Sequence, residues 1–85
     1  MPIIQTTGPA TIVEQSFNMN AQLEMLANDG TEDIAFGIDA PTTSQSARTL
    51  KPGEIYDLTK PVTCKVLYFK ATAGVQNFRA WGVRI

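Results

Sequence analysis

Histidine is missing from this 85-residue chain, and cysteine and tryptophan occur once each. Without histidine the commonest general base is gone, and Cys64 has no imidazole to activate it, so histidine-assisted hydrolysis and cysteine-protease chemistry do not fit. One cysteine cannot close an internal disulfide, and a zinc site would have to be built without its usual ligands. Charge excess is missing too. Seven basic and eight acidic residues leave a net charge of −1, which lacks the electrostatic footprint of a nucleic-acid binder. No apolar run approaches the ~20 residues that cross a bilayer. The start, Met1 to Pro9, has neither the basic opening nor the long apolar stretch of a signal peptide. The expectation is therefore a chain with no catalytic residue, no cofactor and no metal, contacting neither nucleic acid nor membrane. It is kept in a reducing cell or carried out in something assembled there.

A chain of this length makes one domain, for which area scaling gives roughly 5,000 Å² folded against about 13,500 Å² unfolded, so only about 60% of the surface is hidden. Such small domains gain support from disulfides, metals or self-association. With the first two set aside, association into a homo-oligomer is expected.

What is present is β-forming sequence in short pieces. The last third is expected to organise the fold. Val62–Ala71 and Gln76–Ile85 are rich in β-branched and aromatic residues and are joined at Thr72-Ala73-Gly74, which predicts a central hairpin. On its second strand Asn77, Arg79, Trp81 and Val83 share one face, and Phe78, Ala80, Gly82 and Arg84 the other. Upstream, residues 1–9 carry two prolines and a glycine and predict an extended N-terminal arm, which either covers the chain's own core with Ile3 and Ile4 or reaches a neighbour. Ala10–Met19 predicts a strand. Ala21–Ala27 reads as a strand by the alternation of Leu23 and Met25 with Gln22 and Glu24, with a two-turn helix as the alternative. Asn28-Asp29-Gly30 is a turn, and Ile34, Phe36 and Ile38 alternate with Asp33, Gly37 and Asp39 as a half-buried strand. A polar loop follows at Pro41–Ser46. Lys51-Pro52-Gly53-Glu54 predicts a type II turn, Ile55–Leu58 a short strand, and Lys60-Pro61 a break. The sum is an all-β chain, a small antiparallel β-sandwich of Ig-like or jelly-roll-like kind or a small barrel, with six or seven short strands across residues 10–85 behind the arm.

Few residues could carry chemistry. Asp29, Glu32 and Asp33 crowd a turn, but their spacing is not that of a calcium loop, and acids solvate a hairpin end in the ordinary way. Cys64, with valines two residues to either side, reads as a small buried apolar group. Tyr56, Tyr68 and Trp81 are the candidate aromatic binding residues. Trp81 beside Arg79 could form a platform for a sugar or a protein, although a domain this small is expected to need its largest side chain in the core. The arm, Pro2, Ile3, Ile4, Gln5, Thr6 and Thr7, and the loop, Pro41, Thr42, Thr43, Ser44, Gln45 and Ser46, are the candidate contact surfaces.

Three stretches also carry a resemblance. Asn28-Asp29-Gly30 with the Ile34–Ile38 strand, then Leu50-Lys51-Pro52-Gly53-Glu54, then Phe78-Arg79-Ala80-Trp81-Gly82 follow an order that resembles small β-sandwich virion proteins of tailed bacteriophages, over about residues 28 to 85. The resemblance implies a non-enzymatic structural role, in capsid decoration or in the tail, with the major capsid protein or other virion proteins as partners and the virion as location after synthesis in the host cytoplasm. A carbohydrate- or receptor-binding module of a tail fibre or spike is the alternative.

Overall fold

The computed structural model describes the backbone of residues 3–84 and the side chains of 9–58 and 60–83. These residues form six strands and no helix: β1 (Ile3–Ala10), β2 (Gln15–Asn28), β3 (Ile34–Ile38), β4 (Arg48–Leu50), β5 (Ile55–Ala71) and β6 (Gln76–Arg84). All pairings are antiparallel, in the order β1-β6-β2-β5-β3-β4. The strands therefore make one continuous sheet, where two separate sheets had been expected of a sandwich.

The sheet is curled, and its two longest strands do the curling. β2 carries one residue more than β5 between Asn18 and Ala21, where Asn20 takes a positive φ of 49°. Further along, the single residue Glu24 of β2 stands against positions 58–61 of β5, because Leu23 pairs with Val62 but Met25 pairs with Asp57. Extra residues of this kind bend a strand and raise its twist. Pro61 sits inside the interruption, where its missing N–H removes no ladder bond. What reads in sequence as a break is thus a bulge within one 17-residue strand.

Curling brings the two halves of the sheet face to face. Phe69 of β5 stacks on Phe78 of β6 at 5.0 Å, although β2 separates these strands in the sheet. Around this pair lie Met19, Leu23 and Leu26 from β2, Ile34 and Phe36 from β3, Leu50 from β4 and Leu67 from β5, all buried. The whole chain keeps 4976 Å² of accessible surface, the size that scaling gives for a compact domain of its length.

Several expectations change. The terminal pair is not a hairpin: β5 and β6 each pair with β2, and residues 72–75 carry the chain from one half of the curl to the other. The alternation on β6 nevertheless holds, with Phe78, Ala80 and Gly82 buried and Asn77, Arg79, Trp81 and Val83 not. The expected strand Ala10–Met19 is divided, since Ala10 ends β1, residues 11–14 turn, and β2 then runs through Ala21–Ala27 as strand, not helix. The N-terminal segment is not a free arm. From Ile3 it pairs in unbroken register with β6, as the outermost strand, while Pro2 lies outside the described residues. The Lys51–Glu54 turn forms as expected, closed by Glu54 N–H to the Lys51 carbonyl at 2.9 Å with Gly53 at φ 76°.

Candidate functional site

Three surface features could meet a partner. The first lies on the outer face of β6, where strand alternation turns Arg79 and Trp81 away from the core. Arg79 makes a two-point ion pair with Asp29, Nε to Oδ2 at 2.5 Å and Nη2 to Oδ1 at 3.1 Å, and its guanidinium lies 5.4 Å from the Trp81 ring centre. Trp81 is half-buried on this outer face rather than in the core. The core takes its aromatic bulk from Phe36, Phe69 and Phe78 instead, which the inner face of each strand supplies without a polar N–H to satisfy.

The second feature is at the end of the β1–β6 ladder. Ala10 pairs with Gln76, so residues 11–13 and Val75 leave the ladder at the same end. Ile12, Val13 and Val75 are 59%, 69% and 66% exposed. Ala71 donates to the Thr11 carbonyl at 2.7 Å, anchoring this turn on β5. Glu14 closes it from the other side, its Oε1 accepting both the Thr42 N–H at 2.6 Å and the Thr42 hydroxyl. Those two bonds hold the Glu14 carboxyl below the usual carboxylate range, so it stays charged at neutral pH. Between the turns runs an apolar groove of about 540 Å³ lined by Ile12, Ala35, Thr42, Lys70 and Ala71.

The loop expected as a contact surface sits here. Pro41, Thr43, Gln45 and Ser46 are exposed and Thr42 and Ser44 half-buried. Two successive turns hold it, Ser44 N–H to the Pro41 carbonyl and Ala47 N–H to the Ser44 carbonyl, with the Ser44 and Ser46 hydroxyls 2.8 Å apart. Asp39, just before it, reaches across to accept from the Lys65 and Val66 amides at 2.7 and 2.9 Å.

The third feature is a smaller groove of about 240 Å³ where β3 and the first half of β5 diverge. Phe36, Ile38, Leu58 and Val62 make its apolar walls, with Arg48, Ser46 and Tyr56 also lining it. Tyr56 packs on Phe36 at 5.6 Å and remains 38% exposed. Among the described residues Arg48 has no carboxylate within ion-pair distance.

The expected sites are therefore scattered. Ile3, Ile4, Gln5, Thr6 and Thr7 pair opposite Val83, Gly82, Trp81, Ala80 and Arg79 along β1. Tyr56, Tyr68 and Trp81 do not converge: Tyr56 pairs with Leu26, Tyr68 with Ser16 and Gly37, and Trp81 with Met25 and Gln5. None of the three is fully buried. Among the described residues Asp29, Glu32 and Asp33 form no metal-holding group. Cys64 is buried, and desolvation, helped by the charge of Asp39, pushes its thiol up to about 11. Among the described residues no helix is long and apolar enough to cross a membrane. The exposed Ile12 and Val13 were hidden from sequence reading because they fell inside a stretch of β-formers, Ala10 to Met19, that reads as one strand. No family model and no curated protein sequence matches the chain.

Proposed function

We propose that this chain is a non-enzymatic structural protein of a tailed-bacteriophage virion, a capsid decoration protein that stabilises the shell through repeated contacts with the major capsid protein and with its own copies. The observation that carries the reading is the trio Ile12, Val13 and Val75, aliphatic side chains left in water at one end of a small all-β chain. Clustered exposed aliphatics mark a contact surface on a soluble protein. The uncharged edge strand β1 adds a second one, since it lacks the lysines that guard an unpaired edge. In this reading the curled sheet does the work of a sandwich in a single layer order, and many weak contacts repeated by symmetry add up to shell stability.

Co-sedimentation with capsids tests it directly. Saturable binding at a fixed ratio to the capsid protein, with a rise in the shell's melting temperature, is the expected result. A chain that stays in the supernatant at every concentration sinks the proposal.

A second reading, sugar or receptor binding, has one observation in its favour: Trp81 stands outside the core with a guanidinium on its ring. Its test is a glycan array read beside quenching of the single tryptophan, and a blank array with unshifted fluorescence removes it.

A further inference from the structure

We infer that two surfaces of this chain fit each other, so that the Ile12-Val13-Glu14 turn of one copy docks in the Phe36–Leu58–Val62 groove of the next, with Glu14 meeting Arg48. The inference rests on the assembly reading and deepens it by naming the partner as a second copy.

The complementarity is of shape and charge. The turn presents two branched aliphatic side chains, 59% and 69% exposed, followed at once by a carboxylate. The groove presents four apolar side chains and one cation with no carboxylate in reach among the described residues. Its volume, about 240 Å³, exceeds the ~150 Å³ of a dry cavity that admits a benzene molecule, so a branched side chain fits with room to spare. Both hydrogen bonds to Glu14 fall on Oε1, which leaves Oε2 without a protein partner among the described residues. A neighbour's Arg48 can therefore add to the site without breaking the Thr42 bonds that shape it.

The contact has to be between molecules. Ile12 lines the groove on the Ala35 side of β3, and the receiving groove lies on the Phe36 side, so alternation along that strand places turn and groove on opposite faces. Two different patches of one chain give a head-to-tail interface, which closes into a ring or runs on as a filament according to its rotation. One turn in one groove buries less than the ~1,000 Å² of a stable interface, so each contact is weak alone and gains strength by repetition.

The experiment is sedimentation velocity on the wild type, on Val13→Asp and on Arg48→Glu, with circular dichroism confirming that each folds. Both positions are exposed, so the fold is expected to survive. The wild type should gain mass with concentration, and each variant alone should associate at least tenfold more weakly. The decisive arm is their equimolar mixture. Val13→Asp keeps a working groove and Arg48→Glu a working turn, so together they should form 1:1 dimers and nothing larger. A wild type that is monomeric at millimolar concentration, variants that associate as it does, or a mixture that stays monomeric would each overturn the inference. Capsid binding is scored separately: a monomer that still coats capsids sinks only this inference, and a self-associating chain that ignores capsids sinks only the virion reading.

Discussion

The Asn28 side-chain amide donates to the Leu50 carbonyl at 2.9 Å, tying the last residue of β2 to the last residue of β4. These strands are not neighbours in the sheet, and β5 and β3 lie between them. The same amide also donates to the Glu32 carbonyl at 2.8 Å, while its oxygen accepts the Gly30 N–H at 2.8 Å. One buried side chain thus holds the curl shut at one end. Replacing it with alanine orphans these partners, and unmade buried bonds cost about 1–3 kcal/mol. Asn28→Ala should lower stability by about 2–3 kcal/mol in urea melts, and Asn28→Asp by at least as much, since a carboxylate would face two carbonyl oxygens.

Gly82 shows a different constraint. A β-carbon there would strike the Gln22 backbone carbonyl, where β6 lies against β2. Backbone cannot step aside as a side-chain end can, so Gly82→Ala should cost about 3 kcal/mol, the upper part of the range for overpacking. Gly53 makes the comparison. Nothing among the described residues lies near its would-be β-carbon, but its φ is 76°, so Gly53→Ala should cost only about 1–2 kcal/mol of backbone strain. Thermal melts should separate the two by several degrees.

Asp39 combines a positive φ of 58° with two accepted amide bonds on Oδ1. Asparagine keeps an acceptor and tolerates that backbone, so Asp39→Asn should stay within about 1 kcal/mol of wild type. Asp39→Ala loses both bonds and keeps the strain, and about 2–3 kcal/mol should go. Equal effects of the two substitutions in denaturant titrations would contradict the assigned role.

Cys64 predicts a pH dependence with a definite sign. Its thiol is raised to about 11 in the fold, from 9.0 for an unhindered group, so burial favours the neutral form. The stability this lends is complete below pH 9.0 and is lost as pH rises toward about 11. The gap in stability between wild type and Cys64→Ala should therefore shrink by about 2 kcal/mol across that window. At pH 8 a disulfide reagent should label the native thiol only as fast as the chain opens.

Local chemistry was legible in the sequence where a side chain decides its own surroundings. Ile34 and Phe36 are buried as their alternation predicts and the Pro52-Gly53 turn forms, because period-two burial and a glycine at positive φ are properties of a few adjacent residues. Gly37 on the other face, however, is buried against the Ala40 backbone, and Ile38 is only half-buried. Partner choice was not legible. Thr72-Ala73-Gly74 carries good turn residues, but nothing in them says that β2 will lie between the flanking strands. Trp81 was drawn toward the core by its size, yet its position in the alternation with Phe78 and Ala80 put it outside. Of the candidate contacts, the Pro41–Ser46 loop and β1 lie at the surface or edge of the sheet, while the Ile12–Glu14 turn and Arg48 emerged only once the curl had set them in place.

The strand order has a kinetic corollary. Only β3 and β4 are neighbours both along the chain and across the sheet. Every other ladder waits for a distant segment, and β1 finds its mate only when β6, seven tens of residues downstream, has left the ribosome. Such non-local wiring places folding in the slow, millisecond-to-second regime of β proteins. During that delay the nascent chain shows several unmated edges at once, and it is then, more than after maturation, that it is open to clumping with its neighbours.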